Sequence, residues 1–150
     1  MSQQQLQQLS QELQEIEEQI EALNENVEAI QQQKSETDEA IEALETLETD
    51  STVQVPIGGG AYLRASIEDI DEVIVELGAD YAAEFEQDGA IDALESKKEN
   101  LDDRIDEVNS EIAELETESE ELEQQAQQLQ QQAMQQQMQQ MGQGQQQPDE

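Results

Sequence analysis

Apolar residues recur at alternating intervals of three and four along the first third of the chain. They run Leu6, Leu9, Leu13, Ile16, Ile20, Leu23, Val27 and Ile30, pass through the polar Lys34 and Thr37, and resume at Ile41 and Leu44. In heptad terms Leu6, Leu13, Ile20, Val27 and Ile41 occupy a positions, and Leu9, Ile16, Leu23, Ile30 and Leu44 occupy d positions. The residues between them are almost all Gln and Glu, and neither Pro nor Gly occurs before Pro56. A stripe of this period marks a helix that buries one narrow seam against a partner helix. The spacing predicts a coiled-coil helix over residues 4–48, roughly 65 Å long at 1.5 Å per residue.

The last part of the chain repeats the pattern. Ile91, Leu94, Leu101, Ile105, Val108, Ile112, Leu115, Leu122, Ala126, Leu129 and Ala133 keep the same spacing, with Lys98 and Ser119 in the polar gaps. A second helix is predicted over residues 88–138, with Asp88 as its N-cap. Residues 139–150, with Gly142, Gly144 and Pro148, are expected to form a disordered tail.

Between the helices the period changes from 3.5 to 2. Val53, Val55 and Ile57 alternate with polar or Pro residues, the triplet Gly58-Gly59-Gly60 follows, and Leu63 and Ile67 continue the alternation. Val73, Val75 and Leu77, a turn at Gly78-Ala79-Asp80, then Tyr81 and Phe85 repeat it. Residues 52–86 therefore read as two β-hairpins. The expected fold class is α+β: one domain over residues 1–150, in which an antiparallel two-helix coiled coil flanks two central hairpins. A register whose residue numbers sum to 135 sets Ile41 opposite Leu94, Ile20 opposite Leu115, and Thr37 against Lys98. Isolated hairpins are marginal in water and present unpaired edges. Their apolar residues are expected to pair with other chains and build an oligomeric β-barrel platform.

Composition narrows the function. Apolar residues are 34% of the chain and aromatic residues 2%, too little for an ordinary globular core. Thirty-nine acidic residues face five basic ones, a formal net charge of −34. Nucleic acid and anionic membrane are thereby disfavoured as partners, since both need basic surface. Such acidity suits a salt-accumulating cytosol, as in a halophilic archaeon, because molar salt shortens the Debye length to about 3 Å and screens the carboxylates from one another. There is no Cys and no His, which removes thiolate metal sites and the commonest general base. The glycine triplet lacks the Gly-Lys-Ser/Thr that completes a nucleotide-binding loop. No catalytic residue, metal site or cofactor is expected, and no apolar run approaches the ~20 residues that span a bilayer. A cytoplasmic location is expected.

The segments Val55-Pro56-Ile57-Gly58-Gly59-Gly60-Ala61-Tyr62 and Val73-Ile74-Val75-Glu76-Leu77-Gly78-Ala79 carry a family resemblance. With the order helix, hairpin, hairpin, helix, the chain resembles the α class of prefoldin over residues 5–135. The resemblance implies an ATP-independent holdase subunit in a hexamer of two α and four β subunits. It further implies that non-native proteins are held at the coiled-coil tips and passed to a group II chaperonin. Under this reading the client-binding tip comprises Leu6, Leu9, Leu13, Leu122, Leu129, Met134 and Met138. The oligomerisation hairpins comprise Val53, Val55, Ile57, Gly58, Gly59, Gly60, Leu63, Val73, Val75, Leu77, Tyr81 and Phe85. Two alternatives stand beside it: a scaffolding coiled-coil oligomer with a fixed protein partner, and an acidic mimic of nucleic acid.

The charge pattern generates a test. Transfer from molar salt to dilute buffer should loosen the helices or the assembly; circular dichroism and mass measured across that range should both change, and constancy of both would remove the halophile argument.

Overall fold

The computed structural model describes residues 2–145. The element order is α1 (Ser2–Thr46), β1 (Thr52–Gly58), β2 (Ala61–Ser66), β3 (Val73–Gly78), β4 (Tyr81–Phe85) and α2 (Gln87–Gln145). The chain divides into two units, Met1–Val27 with Glu107–Glu150, and Glu28–Asp106.

Both helices follow the apolar stripes. In the unit formed by the outer helix segments, Leu6, Leu9, Leu13, Ile20, Leu23 and Val27 of α1 are half-buried and Ile16 is buried, while the residues between them are exposed. Val108 and Ile112 are buried on α2, and Leu115, Leu122 and Leu129 are half-buried. Ala22 and Leu23 line a groove with Glu111 and Leu115, whereas Leu9 lines one with Leu129, so numbers rise on one helix as they fall on the other. The segments are antiparallel. Each fully covered aliphatic side chain stabilises the pairing by about 1.5–3 kcal/mol.

In the unit Glu28–Asp106, Ile30 and Ile41 are buried, and two ion pairs bridge the helices. Lys34 Nζ lies 2.6 Å from Asp102 Oδ1, and Lys98 Nζ lies 2.6 Å from Asp38 Oδ1. The numbers in each pair sum to 136, one residue from the expected register. Thr37 does not face Lys98 as a partner. Its Oγ1 hydroxyl donates to the Gln33 carbonyl 2.7 Å away, one turn back on its own helix, and Lys98 turns to the neighbouring Asp38. A carboxylate satisfies an ammonium better than a hydroxyl does. The hydrogen bond to Asp38 holds the Lys98 ammonium above the ordinary lysine pKa. These side chains are partly exposed, so solvent screens both pairs and each adds little to stability.

The strands form two separate two-stranded antiparallel sheets, β1–β2 and β3–β4. In the first, Val53 pairs with Ala65 and Val55 with Leu63; in the second, Val73 pairs with Phe85 and Val75 with Ala83. Gly59 and Gly60 make the first turn with φ of 59° and 79°, a left-handed conformation open to glycine without steric cost. The second turn uses Ala79 and Asp80 at φ of 50° and 64°. Asp tolerates this region, but Ala does so at a cost of about 1–2 kcal/mol.

The chain reversal is held by hydrogen bonds around the helix ends. Gln87 Nε2 donates to the carbonyl oxygens of Leu44 and Leu47, capping the last turn of α1 from the first residue of α2. The Gln87 backbone N–H donates to Asp71 Oδ1 at 3.3 Å, and the Ile70 N–H donates to Thr49 Oγ1 at 3.1 Å. Asp50 N–H reaches the Ile67 carbonyl at 2.8 Å, and Ile67 N–H returns to the Ser51 carbonyl at 2.9 Å. Lys97 Nζ donates to the Glu76 carbonyl of β3.

The helix ends differ from the sequence reading. α1 stops at Thr46 rather than 48, where the chain turns through Asp50 at φ 70°. α2 starts at Gln87 rather than at Asp88, which sits in its first turn. It runs on to Gln145, past the expected end at 138, because glutamine and methionine are good helix formers and neither Gly142 nor Gly144 stops it. The rest of the expected disordered tail, including Pro148, lies outside the described residues.

The Gln87 clamp is testable. Gln87→Glu keeps the shape, removes the donor and sets a carboxylate against two carbonyls. It should lower stability by about 1–3 kcal/mol, read as a shifted denaturation midpoint at molar salt; an unchanged midpoint would show the clamp to be incidental.

Candidate functional site

At the outer ends of the helices the seam thins. Leu6, Leu9 and Leu13 remain half-buried on α1, and Leu122, Ala126, Leu129 and Ala133 remain half-buried on α2. No residue of this stretch is fully buried, in contrast to Ile16 and Ile112 farther along. An open groove of about 370 Å³ lies along it, lined by Gln5, Gln8, Leu9, Glu12, Gln125, Gln128, Leu129 and Gln132. Its floor is aliphatic, from Leu9 and Leu129, and its walls are primary amides. An amide offers two donors and an acceptor without charge, which matches the peptide backbone of an extended chain.

Of the expected tip residues, Leu9 and Leu129 meet in this groove. Leu6, Leu13 and Leu122 lie along the same seam but do not line it. Met134 and Met138 are not brought to it. They are 68% and 76% exposed, as is Met141 at 75%. From Met134 to Gly142 every α2 residue is exposed. The antiparallel pairing carries the level of Ser2 to about Gln136, so Met138 and Met141 lie on helix that faces no described residue of α1. The five groove glutamines were not singled out by sequence reading, which placed them within the two predicted helices. The signal available was the absence of charge: no Asp, Glu, Lys or Arg occurs in residues 1–11 or 124–148.

The hairpin residues divide in two. Val53, Ile67, Val73, Val75 and Phe85, together with Ala65, Ile70 and Ala83, are buried or half-buried. Val55, Ile57, Leu63, Leu77 and Tyr81, toward the turns, are exposed. Gly58, Gly59 and Gly60 are exposed and have no neighbouring atom within 4 Å of an added Cβ, so backbone conformation rather than crowding favours glycine there. Ile74 and Tyr62, which alternation assigns to the opposite face, are also exposed, at 73% and 61%. The first hairpin is therefore apolar on both faces near its turn, while the second adds Ile74 at the end of β3 away from its turn, opposite Glu84. A two-stranded sheet leaves each strand one unpaired edge, so these segments present both backbone and side chains suited to strand pairing.

Among the described residues no group of acidic side chains is arranged to hold a metal ion. No described helix is long and apolar enough to cross a membrane.

Comparison with known proteins gives this arrangement a family. The family model described as Prefoldin subunit matches residues 16–132. A protein named Prefoldin subunit alpha from Halorubrum lacusprofundi is 61% identical over 105 residues, 70% of this chain and 69% of that protein. Its namesake from Halobacterium salinarum is 58% identical over 105 residues, 70% of this chain and 68% of that protein. The one from Haloarcula marismortui is 71% identical over 55 residues, which span 37% of this chain and 36% of that protein. A filamentous PFD from Methanocaldococcus jannaschii, solved by cryo-EM, superposes with a TM-score of 0.51 at 25% identity, covering 78% of this chain and 93% of that one. The family model spans well over half of the chain, and the relatives from Halorubrum lacusprofundi and Halobacterium salinarum are covered to more than two thirds: the chain belongs to the prefoldin family, a family of chaperone subunits.

Proposed function

We propose that the chain is the α-class subunit of an ATP-independent holdase. Its hairpins join β-class subunits in a hexamer of two α and four β chains, and its helix ends hold non-native proteins for transfer to a group II chaperonin in the cytoplasm. The observation that carries the proposal is the groove at the helix ends, where Leu9 and Leu129 stay open to solvent between glutamine walls instead of closing the seam. An aliphatic floor with amide walls favours extended, apolar polypeptide and selects no particular side chain. Each groove binds weakly; several on one assembly raise the effective concentration and hold a client without trapping it. The exposed methionines add adaptable apolar surface on α2. The absence of any nucleotide loop in the sequence agrees with binding and release that require no hydrolysis.

A scaffolding reading draws on a different observation. The relative from Methanocaldococcus jannaschii is filamentous, and open strand edges propagate as readily as they close. That reading predicts one fixed partner and no protection of unrelated unfolded proteins.

Two experiments test these proposals. Deletion of residues 1–13 and 120–150 should abolish suppression of client aggregation at high salt while the assembled mass stays at the value expected for the shortened chains; retained capture would refute the tip assignment. Leu63→Asp combined with Leu77→Asp should leave helical circular dichroism unchanged and prevent assembly with co-expressed β-class subunits, as measured by native mass; an intact assembly would remove the hairpins from the interface.

A further inference from the structure

Charge is distributed unevenly along this polyanion. All five basic residues lie between Lys34 and Arg104, so the unit Met1–Val27 with Glu107–Glu150 contains no Lys or Arg to neutralise its carboxylates. Acidic residues nevertheless stop abruptly at the helix ends. On α1 the first is Glu12; on α2 the last described one is Glu123. The antiparallel pairing brings these two charge-free intervals side by side, and the groove between them contains Glu12 alone at its inner edge.

Solubility does not explain the gap, because glutamate would serve it better than glutamine. Helix propensity does not explain it either, since the two residues are nearly equal. A basic client would be drawn to carboxylates around its binding groove, and a neutral one would be indifferent to carboxylates on the rim. Only a negatively charged client is repelled by them. In molar salt the Debye length is about 3 Å, so charges farther along the helices are screened and only those lining the groove matter. Removing charge from the groove alone is then sufficient.

We propose that the groove between Gln5, Gln8, Gln125 and Gln128 is built to take unfolded polypeptides of net negative charge, its glutamines serving as uncharged replacements for carboxylates that would repel such a client. This inference rests on the chaperone reading above and specifies its substrate class.

The test uses one unfolded polypeptide in two forms: reduced, carboxymethylated α-lactalbumin with its charges intact, and the same chain with carboxylates amidated and amines acetylated. The full chain, purified with the subunits that co-assemble with it, carries either Gln5→Glu, Gln8→Glu, Gln125→Glu and Gln128→Glu together, or lysine at the same four positions. Helical circular dichroism at molar salt checks that each variant is folded. The glutamate variant should weaken binding of the anionic form about tenfold more than it weakens binding of the neutral form, and discriminate further as salt is lowered. The lysine variant should bind the anionic form at least as tightly as the unsubstituted chain. Glutamate and lysine variants that weaken both forms alike, or a glutamate variant that holds the anionic form undiminished, would overturn the inference while leaving the chaperone reading in place. An unsubstituted chain that holds neither form would overturn the chaperone reading and the inference with it.

Discussion

Two helices rich in carboxylates can lie side by side only if something offsets the repulsion between them. Within each unit that something is a single row of aliphatic side chains, and the row is narrow. Burial is reached at few positions, among them Ile16, Ile30, Ile41, Val108 and Ile112, and the rest of the stripe is half-covered. The ion pairs Lys34–Asp102 and Lys98–Asp38 assist it in the unit Glu28–Asp106. Apolar burial strengthens in the presence of salts excluded from the surface, while screening weakens the repulsion. Both effects act in the same direction, so the seam is expected to tighten as salt is raised.

The same constraint assigns different tasks to the two kinds of secondary structure. A seam one residue wide cannot also cover a sheet, so the hairpins keep Ile57, Tyr62, Leu63, Ile74, Leu77 and Tyr81 exposed. Hydrogen bonds from Ile70 to Thr49, from Gln87 to Asp71 and from Lys97 to the Glu76 carbonyl tie the hairpin region to the helix ends, beside the buried Val75 and the half-buried Val73 and Phe85. Apolar surface left over from folding is then free for association.

The helices and hairpins were legible because each obeys a period. A stripe at three and four has one solution, as does alternation ended by three glycines, and both appear where the sequence puts them. What escaped the sequence was set by contacts without a period. Gln87 looks like any other glutamine, and only the return of the chain brings its amide to the carbonyls of Leu44 and Leu47. Lys98 has several acidic neighbours, and a one-residue shift of register chooses Asp38 over the hydroxyl of Thr37. Alternation placed Ile74 and Tyr62 on the far face of the strands, but it cannot say that this face is also uncovered. Glutamine carries neither period nor charge, and at the helix ends of this chain the informative feature is where charges are missing.

The groove has one more property. Of its eight lining side chains only Glu12 can gain or lose a proton. The other seven, five amides and two leucines, carry no ionisable group, so almost the whole lining keeps one chemical form at every pH the chain meets.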